Sequence, residues 1–409
     1  MAEQGTYDVI VIGAGPSGAV AAASLVRYGY RVLVLERQHF PRFSIGESLL
    51  PQSMAFLEQV GMLQDVVEAG FQHKNGAAFC RGYDYDFFDF RQKFSAGWGT
   101  TYQVQRSQFD KTLADCAERQ GAEIRYGQTV TAVSRHDAGV VVDVLAETGE
   151  AYRMEAGFLL DGSGFGRVLP RLLQLEKAST LGARLALFTH VEDRIVDPRF
   201  DRNKILITVH PFVPEIWYWL IPFSNGRASV GVVLPRDRFD EESMDRLATL
   251  QGYIAEGGML SEFLSNALFD TPMRKLEGYS SDVERLYGDR FVLLGNAGEF
   301  LDPVFSSGVT IALKSATLAA ATVHRQLQGL NPDWQQEYEI PLRTGIDTFR
   351  VFVEGWYDGR LQDVIFANNK SEGVKAMISS ILAGYAWDSN NPYVSEPARL
   401  STLAELCRG

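Results

Sequence analysis

Apolar and polar positions in the first 36 residues alternate in a way that predicts strand, helix and strand in turn. Residues 7–13 and 31–36 are short runs of Val, Ile and Leu typical of buried strands. Residues 16–28 carry apolar side chains at helical spacing, and Pro16 suits the first turn of a helix. The opening of the chain is therefore a β-α-β unit.

The rest of the chain combines strand-like runs in the middle with helical patterns towards the end. We expect strands at residues 77–80, 101–105, 123–133, 140–145, 185–191, 205–210, 217–221 and 228–234. Helices are expected at 107–120 and about 241–256, and the last 80 residues read mainly as helix. This order of elements predicts an α/β fold with a largely parallel sheet, further β structure and a helical C-terminal region.

A glycine-rich turn joins the first strand to the first helix. Gly13, Gly15 and Gly18 have the G-x-G-x-x-G spacing, and Glu36 ends the second strand. The glycines let a pyrophosphate approach the helix N-terminus, and the carboxylate suits a ribose hydroxyl. This arrangement predicts a dinucleotide site. Because Gly162-Ser163-Gly164 lacks the spacing and following helix of a second fingerprint, a single flavin dinucleotide is favoured over a flavin and nicotinamide pair.

A second small-residue segment covers residues 295–308, between a strand-like run at 291–294 and a helical run at 309–327. Small residues let the backbone pass close to a ligand, and Gly308 opens a helix whose free N–H groups favour an anion. An ordinary strand–loop–helix connection is the alternative.

Composition excludes several classes of function. A formal net charge of −12 argues against nucleic acid and against an anionic membrane surface. Three cysteines and six histidines show no metal-binding or disulfide spacing, so no metal is expected. Neither a signal peptide nor a membrane-spanning run is visible, and we expect a cytoplasmic protein.

Four segments together resemble the FAD-dependent aromatic-hydroxylase superfamily, which includes geranylgeranyl reductases and flavin-dependent halogenases. They are the first glycine turn with Glu36, the run Val-Gln-Arg-Ser-Gln-Phe-Asp around Arg106, the run Asp-Gly-Ser-Gly from Asp161, and residues 295–308. Three motifs resemble the halogenase branch more closely. They are Pro-Arg-Phe-Ser-Ile-Gly-Glu-Ser-Leu-Leu-Pro at 41–51, Trp-Tyr-Trp-Leu-Ile-Pro at 217–222 and Asp-Pro-Val-Phe-Ser-Ser-Gly at 302–308.

The resemblance implies an α/β fold with a Rossmann-like, hydroxylase-type FAD-binding domain. This composite domain would cover residues 1–330 and interleave with segments of a substrate-facing β-sheet at about 52–102 and 178–275. Residues 331–409 would form a C-terminal helical region. The FAD-binding residues implied are Gly13, Gly15, Pro16, Ser17, Gly18, Glu36, Arg37, Arg42, Ser48, Arg106, Asp161, Gly295, Asn296, Asp302 and Gly308.

The resemblance also implies a reaction. In such halogenases, reduced flavin and oxygen form a C4a-hydroperoxide, which a halide converts to hypohalous acid. Here Ser307 and Gly308 would hold the halide, and Lys74 would direct the hypohalous acid onto an aromatic substrate. Trp217, Trp219, Pro222 and Phe305 would line the tunnel between the two sites. A separate flavin reductase would supply the reduced cofactor.

Alternatives remain at several of these positions. Lys74 could be a solvated surface lysine, and the two tryptophans could simply fill a core. Asn296 replaces the aspartate usual in the superfamily, and Ile216 replaces a glycine before the tryptophan motif. Phe305 stands where tryptophan halogenases carry a catalytic glutamate, so we expect a phenolic or conjugated aryl substrate, free or on a carrier protein.

Two further functions stay open beside halogenation. One is an FAD-dependent monooxygenase or a reductase of the geranylgeranyl-reductase kind, in which residues 302–308 only bind flavin. The other is a catalytically silent FAD-binding partner protein.

Overall fold

The computed structural model describes residues 7–136, 139–239, 246–367 and 370–408. The predicted helix at about 241–256 begins outside these residues, and its described part is helical from Arg246 to Ala255. Within the described part of the chain, no helix combines the length and apolar character needed to cross a membrane.

The strands, in chain order, are β1 (Tyr7–Ile12), β2 (Val32–Leu35), β3 (Gln72–Lys74), β4 (Gly76–Arg81), β5 (Asp84–Asp89), β6 (Thr101–Gln103), β7 (Glu123–Arg125), β8 (Gln128–His136), β9 (Gly139–Ala146), β10 (Ala151–Asp161), β11 (Glu176–Lys177), β12 (Arg184–Glu192), β13 (Lys204–Val209), β14 (Trp217–Pro222), β15 (Arg227–Pro235), β16 (Arg274–Glu277), β17 (Asp282–Val283), β18 (Tyr287–Gly288) and β19 (Phe291–Leu293).

The helices are α1 (Pro16–Arg27), α2 (Gln52–Gln59), α3 (Leu63–Glu68), α4 (Arg106–Arg119), α5 (Val168–Leu172), α6 (Arg246–Ala255), α7 (Met259–Phe263), α8 (Ser307–Leu327), α9 (Ile340–Tyr357), α10 (Arg360–Phe366), α11 (Glu372–Leu382), α12 (Pro392–Ser395) and α13 (Arg399–Arg408).

One sheet has a parallel centre in the order β19-β10-β1-β2-β7. Strands β2 and β19 are apolar and buried along their whole length, as expected where helices cover both faces. Helix α1 packs against both α4 and α8. The strands β1, β10 and β19 all end at the same edge, and each is followed there by a glycine-containing loop.

The second large sheet has the order β16-β12-β15-β14-β13-β4-β5 and is antiparallel except for the β13–β4 pair. Strand β14 is buried along its whole length. In the register of β14 and β15, Trp219 lies opposite Gly231. The absence of a side chain at Gly231 leaves the room that the indole of Trp219 occupies.

The C-terminal helices close the structure with aromatic contacts to this second sheet. Trp356 of α9 is fully buried, and its ring centroid lies 5.9 Å from Phe305, 6.0 Å from Phe79 and 6.4 Å from Trp217. These rings fill the space behind Trp217 with packed apolar side chains.

The architecture confirms the expected fold class, an α/β core with a Rossmann-like sheet, a separate β-sheet and a helical C-terminal region. Element ends differ from the sequence pattern. The run at 123–133 is two strands, β7 and β8, and α8 begins at Ser307 rather than at residue 309. The proposed domain boundaries, 1–330 and 331–409, remain a prediction.

We predict that Gly231→Ala destabilises the fold by about 1–3 kcal/mol, because a Cβ at this position would lie 2.3 Å from the Trp219 ring. Gly252→Ala is the control. Gly252 lies in helix α6 with no atom within 4 Å of the added carbon, so alanine should stabilise by about 0.5–1 kcal/mol. Urea unfolding followed by tryptophan fluorescence measures both changes, and equal stability of the two variants would contradict the packing.

Candidate functional site

A cavity of about 730 Å³ lies where the parallel sheet ends and the second sheet begins. Its lining comes from both sides: the glycine turn after β1 and the loops after β10 and β19 on one, and strands β12, β14 and β16 on the other. Ligands of open parallel sheets bind outside the carboxyl ends of the strands, and the cavity has the size of a cofactor site.

The glycine turn gains its shape from contacts between backbones. Gly13 has φ +88°, and a Cβ there would lie 2.8 Å from the carbonyl oxygen of Gly162. A Cβ on Gly18 would lie 1.9 Å from the carbonyl oxygen of Gly13. Gly15 differs from these two glycines, because a Cβ added there would meet only a guanidinium nitrogen of Arg42, 3.4 Å away. Gly15 also lines the cavity. Two glycines therefore close the turn, and the third leaves space for a ligand.

Glu36 lines the cavity and also holds the turn together. Its carboxylate accepts hydrogen bonds from the backbone N–H of Ala14 at 2.9 Å and of Gln38 at 2.8 Å. The residue is 5% exposed. A ribose hydroxyl arriving at this carboxylate would meet an acceptor already fixed in place.

Positive side chains outnumber negative ones along the cavity. Arg37, Arg42, Arg106, Arg274 and Lys275 line it, against Glu36 and Glu47. Asp110 is fully buried and orients two of these cations, since it accepts from Arg106 Nε at 2.7 Å and from Arg42 Nη1 at 3.2 Å. The buried Nε of Arg42 has no hydrogen-bond partner. A pyrophosphate would supply the charge and the acceptor that this wall lacks.

The loop after β10 is shaped by a buried carboxylate. Asp161 accepts from the N–H of Ser163 at 2.9 Å and of Leu169 at 2.6 Å, and burial raises the pKa of its carboxyl above the usual value. The side chain is thus used within the loop. Gly162, Ser163 and Gly164, rather than Asp161, line the cavity.

The loop after β19 brings the start of α8 to the same cavity. Gly295 has φ +48° and packs against Ala312, and Ser306 has φ +56° immediately before the helix. Asn296, Pro303, Ser306 and Gly308 line the cavity. Because the first N–H groups of a helix lack intrahelical acceptors, the amides of Ser307 and Gly308 are suited to an anion.

Asp302 belongs to a hydrogen-bond chain that reaches a cavity tryptophan. Tyr357 Oη donates to Asp302 Oδ2 at 2.8 Å, and Trp217 Nε1 donates to Tyr357 Oη at 3.0 Å. Burial raises the pKa of Asp302 to about 6. The guanidinium of Arg184 lies 3.4 Å from the centre of the Tyr357 ring. This chain fixes the orientation of the Trp217 indole.

Trp217 and Trp219 lie on the same face of β14 and both line the cavity, with ring centroids 6.0 Å apart. Trp219 Nε1 donates to Ser229 Oγ at 3.0 Å. Both indoles are nearly fully buried. The pair forms a rigid aromatic wall, which the strand alternation in the sequence predicts.

Lys74 is a buried lysine and not a solvated one. It is 1% exposed, and Nζ donates to Ser48 Oγ at 2.7 Å and to the carbonyl oxygen of Leu49 at 2.8 Å. Nζ also lies 5.4 Å from the centre of the Phe90 ring. Burial lowers the pKa of the amine to about 7. Lys74 does not itself line the cavity, but its partner Ser48 does.

The cavity brings together most of the residues proposed from the sequence. Those lining it are Gly13, Gly15, Pro16, Ser17, Glu36, Arg37, Arg42, Ser48, Arg106, Trp217, Trp219, Asn296 and Gly308. Those behind the lining are Gly18, Lys74, Asp161, Pro222, Gly295, Asp302, Phe305 and Ser307. Phe305 packs in the aromatic cluster of Trp356.

Several cavity residues are not marked by any pattern in the sequence. Arg274 and Lys275 come from the short edge strand β16, and Glu47 lies inside the motif at 41–51, in which the resemblance implies roles only for Arg42 and Ser48. Tyr279 lines the cavity with a buried hydroxyl that has no hydrogen-bond partner. No local pattern marks Tyr279 or β16, because both reach the cavity through the long-range pairing of β16 with β12.

Comparison with known proteins agrees with this geometry. The model of the FAD binding domain family matches residues 6–210, half of the chain, and the chain therefore belongs to this family of FAD-binding oxidoreductases. Its cofactor is FAD.

Among related proteins, a 1H-pyrrole-2-carbonyl-[peptidyl-carrier protein] chlorinase of Pseudomonas fluorescens is 29% identical over 86% of this chain and 83% of its own length. A flavoprotein/dehydrogenase of Cytophaga hutchinsonii has a solved structure with 43% identity, a TM-score of 0.94 and 99% coverage of both chains. A flavin-dependent brominase structure has 25% identity, a TM-score of 0.82, and covers 98% of this chain and 99% of its own. The chain is thus a distant homologue of flavin-dependent halogenases.

We predict that Gly15→Val abolishes FAD binding, since the side chain would enter the space that the pyrophosphate requires. Gly373→Val, at an exposed position of α11 with no atom within 4 Å of the added Cβ, is the matched control and should bind FAD normally. Flavin absorbance after gel filtration, with fluorescence titration of FAD, measures binding. Tight FAD binding by folded Gly15→Val would contradict the proposed position of the pyrophosphate.

We predict that the burial of Lys74 makes the stability of the fold increase towards alkaline pH. In the unfolded chain the amine keeps its proton up to its ordinary pKa of 10.5, whereas in the folded protein it keeps the proton only up to about pH 7. The unfolded state therefore holds more protons between these values. The free energy of unfolding should rise with pH in this window.

Lys74→Met removes this titration. The stability of wild type relative to Lys74→Met should increase by about 2 kcal/mol between pH 7 and 9, measured by urea unfolding. Lys177→Met, at an exposed surface lysine, is the control and should differ from wild type by less than about 0.5 kcal/mol at each pH. A pH-independent difference for Lys74→Met would show that the amine is not buried as described.

Proposed function

We propose that the protein is a reduced-flavin- and O2-dependent halogenase of a phenolic or conjugated aryl compound. One observation carries this proposal: the N-terminus of α8 and the Trp217–Trp219 wall border the same cavity that the FAD-binding glycines border. Distant homology to halogenases, among them a chlorinase of a carrier-bound pyrrole, supports it. A separate reductase would supply reduced flavin.

The residues of the cavity fit FAD. Gly13 and Gly18 close the turn, Gly15 leaves the gap for the pyrophosphate, and Arg42 offers an unpaired Nε beside it. Glu36 would bind the ribose, with Arg37 and Arg106 near the phosphates and ribityl chain. Bound in reduced form, FAD would supply the electrons with which O2 oxidises a halide to hypohalous acid.

The protein's own part would begin with the halide. The N–H groups of Ser307 and Gly308 would hold the anion at the end of α8, where the helix dipole favours negative charge. The Trp217–Trp219 wall would keep bulk water and the aryl substrate away from the flavin. Asp302 and Tyr357 would keep Trp217 in its orientation through the hydrogen-bond chain described above.

Lys74 would act on the product of that step. With a pKa lowered to about 7, its amine exchanges a proton near neutral pH and can donate a hydrogen bond to hypohalous acid. Substitution on the ring then balances as aryl–H plus HOX giving aryl–X plus water. Because Lys74 Nζ is bonded to Ser48 and Leu49, this role requires that the Ser48 hydroxyl turn away or that the oxidant reach Nζ beside it.

A second candidate is an FAD-dependent dehydrogenase, reductase or monooxygenase without halide chemistry. Two observations favour it. A protein 43% identical over its full length is described as a flavoprotein/dehydrogenase, and the aromatic cluster around Trp356 and Phe305 fills the space behind the tryptophan wall.

We predict that the photochemically or enzymatically reduced enzyme halogenates monochlorodimedone or a simple phenol with bromide and O2. In Lys74→Ala the rate of phenol halogenation should fall at least about 100-fold, while the bound flavin reoxidises at the normal rate. Ser307→Pro removes one N–H from the first turn of α8, so it should raise the bromide concentration needed. Mass spectrometry of the product and flavin absorbance measure the two steps.

Lys314→Ala is the control for Lys74→Ala, because Lys314 is a partly buried lysine of α8 that does not line the cavity. Halide-independent hydroxylation, or turnover with a reductant and no oxygen, would select the second candidate. Bromide dependence that is unchanged in Ser307→Pro would reject the anion site even if halogenation occurs.

A further inference from the structure

Glu47 and His190 form a partly buried carboxylate–imidazole pair that the proposed halogenation does not use. His190 Nε2 lies 2.6 Å from Glu47 Oε1. The side chain of Glu47 is 2% exposed and lines the cavity, and that of His190 is 25% exposed and does not line it. The pair thus extends from the cavity wall towards the solvent, with its acidic member inside.

The fold holds both members firmly. Glu47 lies in the loop before α2, where its carbonyl oxygen accepts from the N–H of Val104 at 2.7 Å. His190 follows Ala186 and Phe188 on the same face of β12, and those two residues line the cavity. The imidazole is packed between the rings of Phe43, at 6.0 Å, and Phe223, at 5.3 Å.

These aromatic neighbours leave the imidazole few routes for a hydrogen bond other than Glu47 and solvent. Histidine is the side chain best suited to exchange protons with solvent near neutral pH, and a carboxylate bonded to it accepts or returns that proton. Reaction of reduced flavin with oxygen in the cavity would consume protons, and a carboxylate–imidazole pair between the cavity and solvent can supply them.

We propose that Glu47 and His190 carry protons between solvent and the interior of the FAD cavity. For the reaction of reduced flavin with oxygen, FADH⁻ plus O2 plus H⁺ gives FAD plus H2O2, so each turnover takes up one proton. His190 would collect this proton from solvent at one ring nitrogen and release it from Nε2 to Glu47, which passes it into the cavity. The proposal rests on FAD binding and is independent of whether halide is used.

Charged groups from each neighbouring element surround the pair. Arg106 of α4 donates to the backbone carbonyls of Ile45 and Gly46. The other charged groups are Arg274 and Lys275 of β16, Glu192 of β12, the Arg202–Asp193 ion pair beside Phe223, and the Arg227–Asp270 ion pair. Arg274 lies 3.7 Å from the centre of the Phe43 ring that packs on His190. Because these groups also influence the pH dependence of the reaction, substitutions in the pair itself are needed to test it.

The test uses FAD-loaded protein reduced with dithionite and mixed with oxygenated buffer in a stopped-flow instrument between about pH 5.5 and 9. Flavin absorbance follows oxidation, and a pH-indicator dye follows proton uptake. The variants are Glu47→Gln and His190→Gln, which keep the size of each side chain. Glu256→Gln is the matched control, because Glu256 forms another such pair, 2.9 Å from His210, at a carboxylate that does not line the cavity.

We expect both variants to bind FAD and to take up protons at least about tenfold more slowly than wild type, with a flattened pH profile. Glu256→Gln should match wild type. A third variant, His190→Ala, leaves space for an added imidazole. Imidazole should restore its rate, which a purely structural role for His190 would not predict. Wild-type rates and a wild-type pH profile in Glu47→Gln and His190→Gln would overturn the proposal. Slow oxidation that imidazole does not restore in His190→Ala would also overturn it. So would slow oxidation that accompanies loss of FAD from Glu47→Gln and His190→Gln.

Discussion

Contact between three backbones at the carboxyl edge of the parallel sheet is the constraint on which the site depends. A Cβ on Gly13 or Gly18 would collide with a carbonyl oxygen, and one on Gly162 would lie 3.0 Å from the nitrogen of Gly18. Any side chain here would separate β1, α1 and the loop after β10. Their close approach points the N-terminus of α1 into the cavity, and the arginines fixed by Asp110 complete a wall suited to a pyrophosphate.

Most residues of the FAD-binding turn could be predicted from the sequence, because the motif that marks them is short and continuous in the chain. The spacing of Gly13, Gly15 and Gly18, the strand before them and Glu36 after them lie within about thirty residues of chain. Alternation along β14 likewise placed two indoles on one face. The other end was less predictable. Tyr279, Tyr357 and His190 reach the site through pairings between strands and helices distant in sequence, and no spacing encodes such contacts.

For Lys74, the sequence motif predicts a function, whereas the structure gives the burial and the hydrogen-bond partners of the amine. The motif predicted a functional lysine, and the structure gives it the burial and the pKa of about 7 that such a role needs. It also seals the amine behind Ser48 and beside Phe90, away from the cavity lining. A buried lysine bound only to neutral acceptors is costly to keep. The role in halogenation proposed above would account for a lysine kept at this cost.

In the arrangement proposed here, one FAD extends from the turn at Gly15 to the N-terminus of α8, with an anion beside its ring. A crystal of the FAD complex soaked in bromide tests this most directly. We expect the isoalloxazine next to Gly308 and anomalous bromine density at the amides of Ser307 and Gly308. An isoalloxazine positioned elsewhere, with the space beside α8 closed by side chains, would contradict the claim.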